Sequence, residues 1–217
     1  MAIAEHIEHT LLKPEAQVKD IMRLCSEALE YKFYAVCVNP CYAGLARHLL
    51  NGSEVKVVTV IGFPLGEEKT AVKALAAKIA VDEDHADEID MVMNIAAFKS
   101  GNYEGVVEDI RAVVEAAKPY PVKVIIETCL LNDEEKRTAC QLITRGGAKF
   151  VKTSTGFNKG GATVKDVELL AQEAKKYNLL VKASGGIKNY ADAQAMLAAG
   201  ADRIGTSAGK EIAAGEA

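Results

Sequence analysis

The sequence predicts a (β/α)8 barrel, an α/β TIM barrel in one domain spanning residues 1–217. Three observations predict it. Short β-branched runs recur along the whole chain, stretches of helical period separate them, and no linker or low-complexity segment interrupts the alternation. Strands alternating with helices imply a parallel sheet with crossover helices. Seven runs are clear: 34–39, 56–63, 88–94, 122–128, 149–155, 179–184 and 202–207. An eighth and weaker run, HTLL, covers 9–12. An open doubly wound sheet is the alternative, but it rarely carries so many regular units.

The helical segments show the complementary period. In PEAQVKDIMRLCSEALEYK the apolar residues Val18, Ile21, Met22, Leu24, Cys25, Ala28 and Leu29 recur every three to four positions. NYEGVVEDIRAVVEAAK and TVKDVELLAQEAKKYN repeat that spacing, and Asn132 and Asn189 stand where helix N-caps belong.

Composition narrows the function classes. The chain has 217 residues, 49% hydrophobic and 26% charged, with a net charge of −4. An acidic balance argues against nucleic-acid or anionic-membrane partners, which need a basic face. The N-terminal stretch lacks the basic and apolar regions of a signal peptide, so a cytoplasmic location is expected. The five cysteines are odd in number and irregularly spaced, and His6, His9, His48 and His85 are scattered. Reduced thiols and no metal site are therefore expected.

In such a barrel the active site lies at the C-terminal ends of the strands. Polar residues late in the strands are Thr10, Cys37, Asn39, Thr59, Asp90, Asn94, Glu127, Lys152, Lys182 and the run Gly205–Thr206–Ser207. Pointing inward suits them better than facing apolar helices. Lys152 is the odd one, a lysine inside the apolar strand of FVKTSTGF. A buried ammonium is costly unless paired or neutralised. Taken alone it reads as a lysine snorkelling to water. Lys182, however, stands at similar depth one strand on, and adjacent strands are about 4.8 Å apart. Two ammonium groups about 6 Å apart repel by about 3 kcal/mol at an effective dielectric near 20. One of them should then be neutral near pH 7, and a neutral lysine amine attacks carbonyls. Asp90 can hold the other lysine charged and move protons.

An anion site is expected beside this trio. SGGIKN (184–189) and GTSAGKE (205–211) are small-residue loops after the seventh and eighth strands, the usual phosphate-binding position in this architecture. Gly156 can add a donor, with Lys159 or Lys188 at the rim.

EHTLLKP, CVNP, TVIGFPLG, EIDMVMN, KVIIET, FVKTSTGF, VKASGGI and RIGTSAG, in this order, resemble the deoxyribose-phosphate aldolases over nearly the whole chain. The pair KTSTGF and KASGGI is the most specific part. The resemblance implies a metal-free class I aldolase needing no cofactor. It would cleave 2-deoxy-D-ribose 5-phosphate reversibly to D-glyceraldehyde 3-phosphate and acetaldehyde. Lys152 would form the Schiff base, Lys182 would lower its pKa, and Asp90 would be the acid/base acting through Lys182 and a water. Thr10, Cys37 and Thr153 would line the substrate pocket. Gly156, Gly185, Gly186, Gly205, Thr206 and Ser207 would hold the phosphate. A homodimer or homotetramer is implied, with the sugar phosphate and acetaldehyde as small-molecule partners.

Three departures stand out. Glu8 replaces the usual aspartate, so a hydrogen bond there is expected to be re-routed. Phe157 stands where some relatives carry a lysine, so weaker phosphate affinity is expected. The sequence ends AAGEA where some relatives have a tyrosine tail, so that role is expected to be absent or filled by water. Two competing readings are a Schiff-base lyase acting on another phosphorylated aldehyde, and a sugar-phosphate sensor without catalysis. Intact Lys152, Lys182 and Asp90 argue against the sensor.

Overall fold

The computed structural model describes residues 2–216. Eight parallel strands close into a barrel in chain order: β1 (Ile7–Leu11), β2 (Ala35–Val38), β3 (Lys56–Ile61), β4 (Glu88–Val92), β5 (Val122–Ile125), β6 (Phe150–Lys152), β7 (Leu180–Ser184) and β8 (Arg203–Thr206). The weak HTLL run is therefore a full barrel member. It pairs with β2 on one side and closes the sheet against β8 on the other. The strands are short, and most of their side chains are buried on both faces, as a helix-covered parallel sheet requires.

Helices α1 (Val18–Tyr31), α2 (Ala43–Leu49), α3 (Thr70–Asp82), α4 (Ile95–Lys99), α5 (Tyr103–Ala117), α6 (Asp133–Gly146), α7 (Val164–Tyr177), α8 (Tyr190–Ala198) and α9 (Gly209–Ala214) surround it. The three long periodic segments of the sequence are α1, α5 and α7. Asn132 caps α6 in a reciprocal capping box with Glu135, and Asn189 caps α8 by accepting from the Asp192 N–H.

Strand alternation sorts the core into two parts. Outward-facing residues such as Val36, Val57, Ile89, Met91, Val124 and Val151 meet the helices in one large apolar shell. Inside the barrel the apolar cluster is small: Leu12, Ala35, Cys37, Val58 and Val60. The rest of the interior sets charged side chains among Val92, Ile125 and Phe150, and the site is built there. Not all of the late-strand polar residues face inward. Thr59 is on the outward face, its hydroxyl donating to the Val38 carbonyl, and Asn94 lies past the end of β4 as the cap of α4.

Candidate active site

The interior charges occupy the strands from β4 round to β1. Asp90 on β4 is fully buried and is the hub. Its Oδ2 accepts from Lys152 Nζ and from Lys182 Nζ, each at 2.6 Å, and its Oδ1 accepts from Lys123 Nζ at 3.0 Å. The two expected lysines thus share one carboxylate oxygen and lie closer together than twice that distance. Register explains the meeting: Lys152 on β6 is directly opposite Lys182 on β7, and Asp90 is directly opposite Lys123 on β5. Directly paired residues of neighbouring strands point to the same face.

Sequence reasoning missed Lys123, which bridges Asp90 and Glu88, the latter at 2.5 Å, and lies 3.4 Å from Glu8. Glu8, on β1, contacts Lys182 through Oε2. This side chain accepts a hydrogen bond from Lys182, while its Oε1, 3.4 Å from Lys123, has no hydrogen-bond partner among the described residues. Tyr34 donates to Glu88 at 2.5 Å, and the Arg203 guanidinium lies 3.7 Å over the Tyr34 ring.

The four cations are not equivalent. Burial works against the charge of every buried lysine here. For Lys182 the carboxylates of Asp90 and Glu8 outweigh burial and hold the ammonium above its ordinary value. Lys123 is held well above by Asp90, Glu8 and Glu88 in the same way. Lys152 goes down. Burial is the largest cause, Asp90 opposes it, and the Lys182 charge adds to the lowering. Lysine–lysine repulsion, the cause read from the sequence, thus contributes but does not lead. Burial pushes the Asp90 carboxyl up, but Lys123, Lys152 and Lys182 overcome it and hold it well below the carboxylate range. The interior therefore sets three acidic side chains, Glu8, Glu88 and Asp90, against three basic ones besides Lys152, namely Lys123, Lys182 and Arg203. Lys152 is left over as the base that charge balance does not need.

Lys152 also touches the outside. A cavity of about 420 Å³ opens above it at the C-terminal ends of the strands, lined by Thr10, Lys152, Gly156, Phe157, Gly185, Gly186, Gly205, Thr206, Ser207 and Lys188 among others. Lys182 and Asp90 lie beneath it. The turn after β6 and the loops after β7 and β8 form one wall. Among the described residues, the N–H groups of Gly156, Gly186, Ile187 and Ser207 donate to no protein acceptor. Gly156 adopts φ 83°, a backbone state that favours glycine. Unspent N–H donors around a cavity suit an anion.

Four expected site residues sit elsewhere or act differently. Cys37 is fully buried in the interior apolar cluster below the cavity, and burial pushes its thiol up. Thr153 is on the face opposite Lys152, and its hydroxyl both donates to and accepts from the Ser184 backbone. Gly205 borders the cavity, yet a Cβ there would stand 3.0 Å from Lys182 Cε, so its smallness makes room for that side chain. The Thr206 hydroxyl is spent on the Ile187 carbonyl and the Ala208 N–H. Phe157 is half exposed at the mouth and meets the Phe63 ring edge-on at 5.2 Å. Lys188 lines the rim as expected, whereas Lys159 is exposed outside the lining. Among the described residues, no group of three His, Cys, Asp or Glu side chains is placed to share a metal ion.

Known proteins share this chain's pattern throughout its length. The DeoC/LacD family aldolase profile matches residues 4–215. A deoxyribose-phosphate aldolase of Streptococcus gordonii is 56% identical over 216 residues, covering 100% of this chain and 97% of the relative. One from Carboxydothermus hydrogenoformans is also 56% identical, covering 98% and 94%. Among solved structures, a tetrameric deoxyribose phosphate aldolase from Aeropyrum pernix superposes with a TM-score of 0.89 at 37% identity, covering 98% of this chain and 89% of that one.

Proposed function

The chain belongs to the DeoC/LacD aldolase family, and from that premise we propose that it is a class I aldolase that reversibly cleaves 2-deoxy-D-ribose 5-phosphate to D-glyceraldehyde 3-phosphate and acetaldehyde. The observation that carries the reading is Lys152: a buried amine with a lowered proton affinity, beside a charged lysine and an ionised aspartate, at the floor of a cavity rich in free N–H donors.

The chemistry follows from those roles. Neutral Lys152 Nζ attacks C1 of the open-chain sugar, and the carbinolamine loses water to give a protonated imine. That imine withdraws electrons from the C2–C3 bond. The bond breaks as the C3 hydroxyl gives up its proton, and glyceraldehyde 3-phosphate leaves. The remaining enamine is protonated at C2 and hydrolysed to acetaldehyde, returning Lys152. Asp90 and Lys182 form the proton-handling pair, joined to each other and to Lys152 at hydrogen-bond distance. The imine supplies the electron sink, so the scheme needs no cofactor. The loops around Gly156, Gly186 and Ser207 would hold the phosphate, and Thr10 would line the sugar end.

The same reading takes the working form to be a homodimer or homotetramer. It places the enzyme in the cytoplasm; among the described residues no helix is long and apolar enough to cross a membrane.

The test is borohydride reduction with acetaldehyde, followed by peptide mass mapping. The expected product is a single ethyl adduct on Lys152, lost in Lys152→Leu. No adduct on the folded protein would sink the Schiff-base mechanism, and an adduct on Lys182 would exchange the roles of the two lysines.

A further inference from the structure

We propose that Glu127 is a positioning residue for phosphate binding, fixing the turn after β6 that carries Gly156 without touching the substrate. The proposal rests on the reading that the cavity takes a sugar phosphate.

Glu127 follows the end of β5 with φ 52°, a left-handed backbone state that a residue with a Cβ rarely adopts. Such a conformation persists where surrounding contacts over-determine it. Its side chain, 2% exposed, spends both oxygens on one residue: Oε2 accepts the Thr155 hydroxyl at 2.5 Å and Oε1 accepts the Thr155 N–H at 3.3 Å. The Thr155 hydroxyl in turn accepts the Phe157 N–H at 3.1 Å. This chain of bonds wraps around Gly156, whose own N–H has no acceptor among the described residues and whose Cβ position is open space. Thr155, Gly156 and Phe157 all line the cavity.

The turn is also clamped farther on. A Cβ on Gly160 would stand 2.6 Å from Cys129 Cβ, and one on Gly161 would stand 2.3 Å from the Gly185 carbonyl oxygen. The β6 turn is thus wedged between the end of β5 and the β7 loop, and the buried carboxylate sets its near end. No step of the aldol chemistry uses Glu127, and snorkelling to water does not describe it.

The experiment compares wild type, Glu127→Gln, Thr155→Val and the double variant. Each is assayed on deoxyribose 5-phosphate and on unphosphorylated 2-deoxyribose, and binding of inorganic phosphate is measured by calorimetry. Glutamine keeps the size but cannot accept at both positions. The expected result for Glu127→Gln is a KM for the phosphorylated sugar raised about tenfold with kcat within about twofold, a matching loss of phosphate affinity, and kcat/KM on the unphosphorylated sugar near wild type. The double variant should be little worse than the worse single one, since both cut one chain of bonds. Equal losses on the two sugars, a loss in kcat alone, or unchanged phosphate affinity would overturn the proposal. Should Glu127→Gln fail to fold, Glu127→Gly accommodates the positive φ and carries the same test. A wild type that turns over neither sugar would refute the aldolase reading, and calorimetry would still decide the role of Glu127.

Discussion

At the residue scale, the behaviour of Lys152 is set by what it lacks. Lys182 has Glu8 as well as Asp90, and Lys123 has three carboxylates within reach, whereas Lys152 has a share of Asp90 Oδ2 and otherwise burial. A lysine whose value is depressed in the folded chain becomes neutral as pH rises through that value, below the ordinary 10.5. The depression costs stability below the folded value, and that cost is relieved as pH rises toward 10.5, because the unfolded chain binds the extra proton there. Imine trapping by borohydride should therefore climb with pH and level off once the amine is neutral. Lys182→Met removes the cation that helps the lowering and leaves Asp90 a larger share for Lys152. The rising limb should move alkaline by about one to two pH units, with slower trapping at pH 7. A limb that stays in place would mean that the Lys182 charge does not help to set the amine. Trapping against pH reads this without full turnover.

At the element scale, the strands were legible because β-branched runs between helical periods leave few alternatives, and even the HTLL run paired as predicted. The lysine pair was legible because equal depth in consecutive strands becomes direct pairing. Lys123 was not, because its meaning depends on lying opposite Asp90, and cross-strand register is not written in either strand alone. Thr153, put in the pocket by the resemblance, follows Lys152, and alternation turns it to the other face. Elements are also tied outside the barrel. Lys73 on α3 is fully buried and donates to Asp109 of α5 at 2.6 Å and to the Val92 carbonyl at 3.1 Å. Breaking such a pair from one side leaves a buried charge uncompensated. Asp109→Ala should cost about 3–5 kcal/mol, read by chemical denaturation. Lys73→Met, which removes the charge and keeps the stem, should cost less. Equal losses from the two variants would mean that packing, not the unpaired ammonium, dominates.

At the scale of the whole molecule, the barrel separates two demands. The outer apolar shell holds the fold, while the interior holds charges that form a reactive amine. That leaves two elements whose surfaces serve neither demand. α3 buries Lys73, Ala77, Ala80 and Val81 against its neighbours, yet Val72, Leu75 and Ile79 recur at i, i+3 and i+7 on its solvent side, with Leu75 58% exposed. On α1, Val18, Met22 and Leu29 form a second exposed stripe. Helices of a lone barrel keep a polar outer face, and apolar stripes in this arrangement suit contact with a second copy. If the chain works as a homodimer or homotetramer through the α3 stripe, light scattering should give at least twice the chain mass of 23.2 kDa. Leu75→Asp should lower that mass while the barrel stays folded by circular dichroism. A wild type already at the single-chain mass would rule out assembly. An unchanged mass in Leu75→Asp would move the interface away from α3, with the α1 stripe and a Met22→Asp variant next in line.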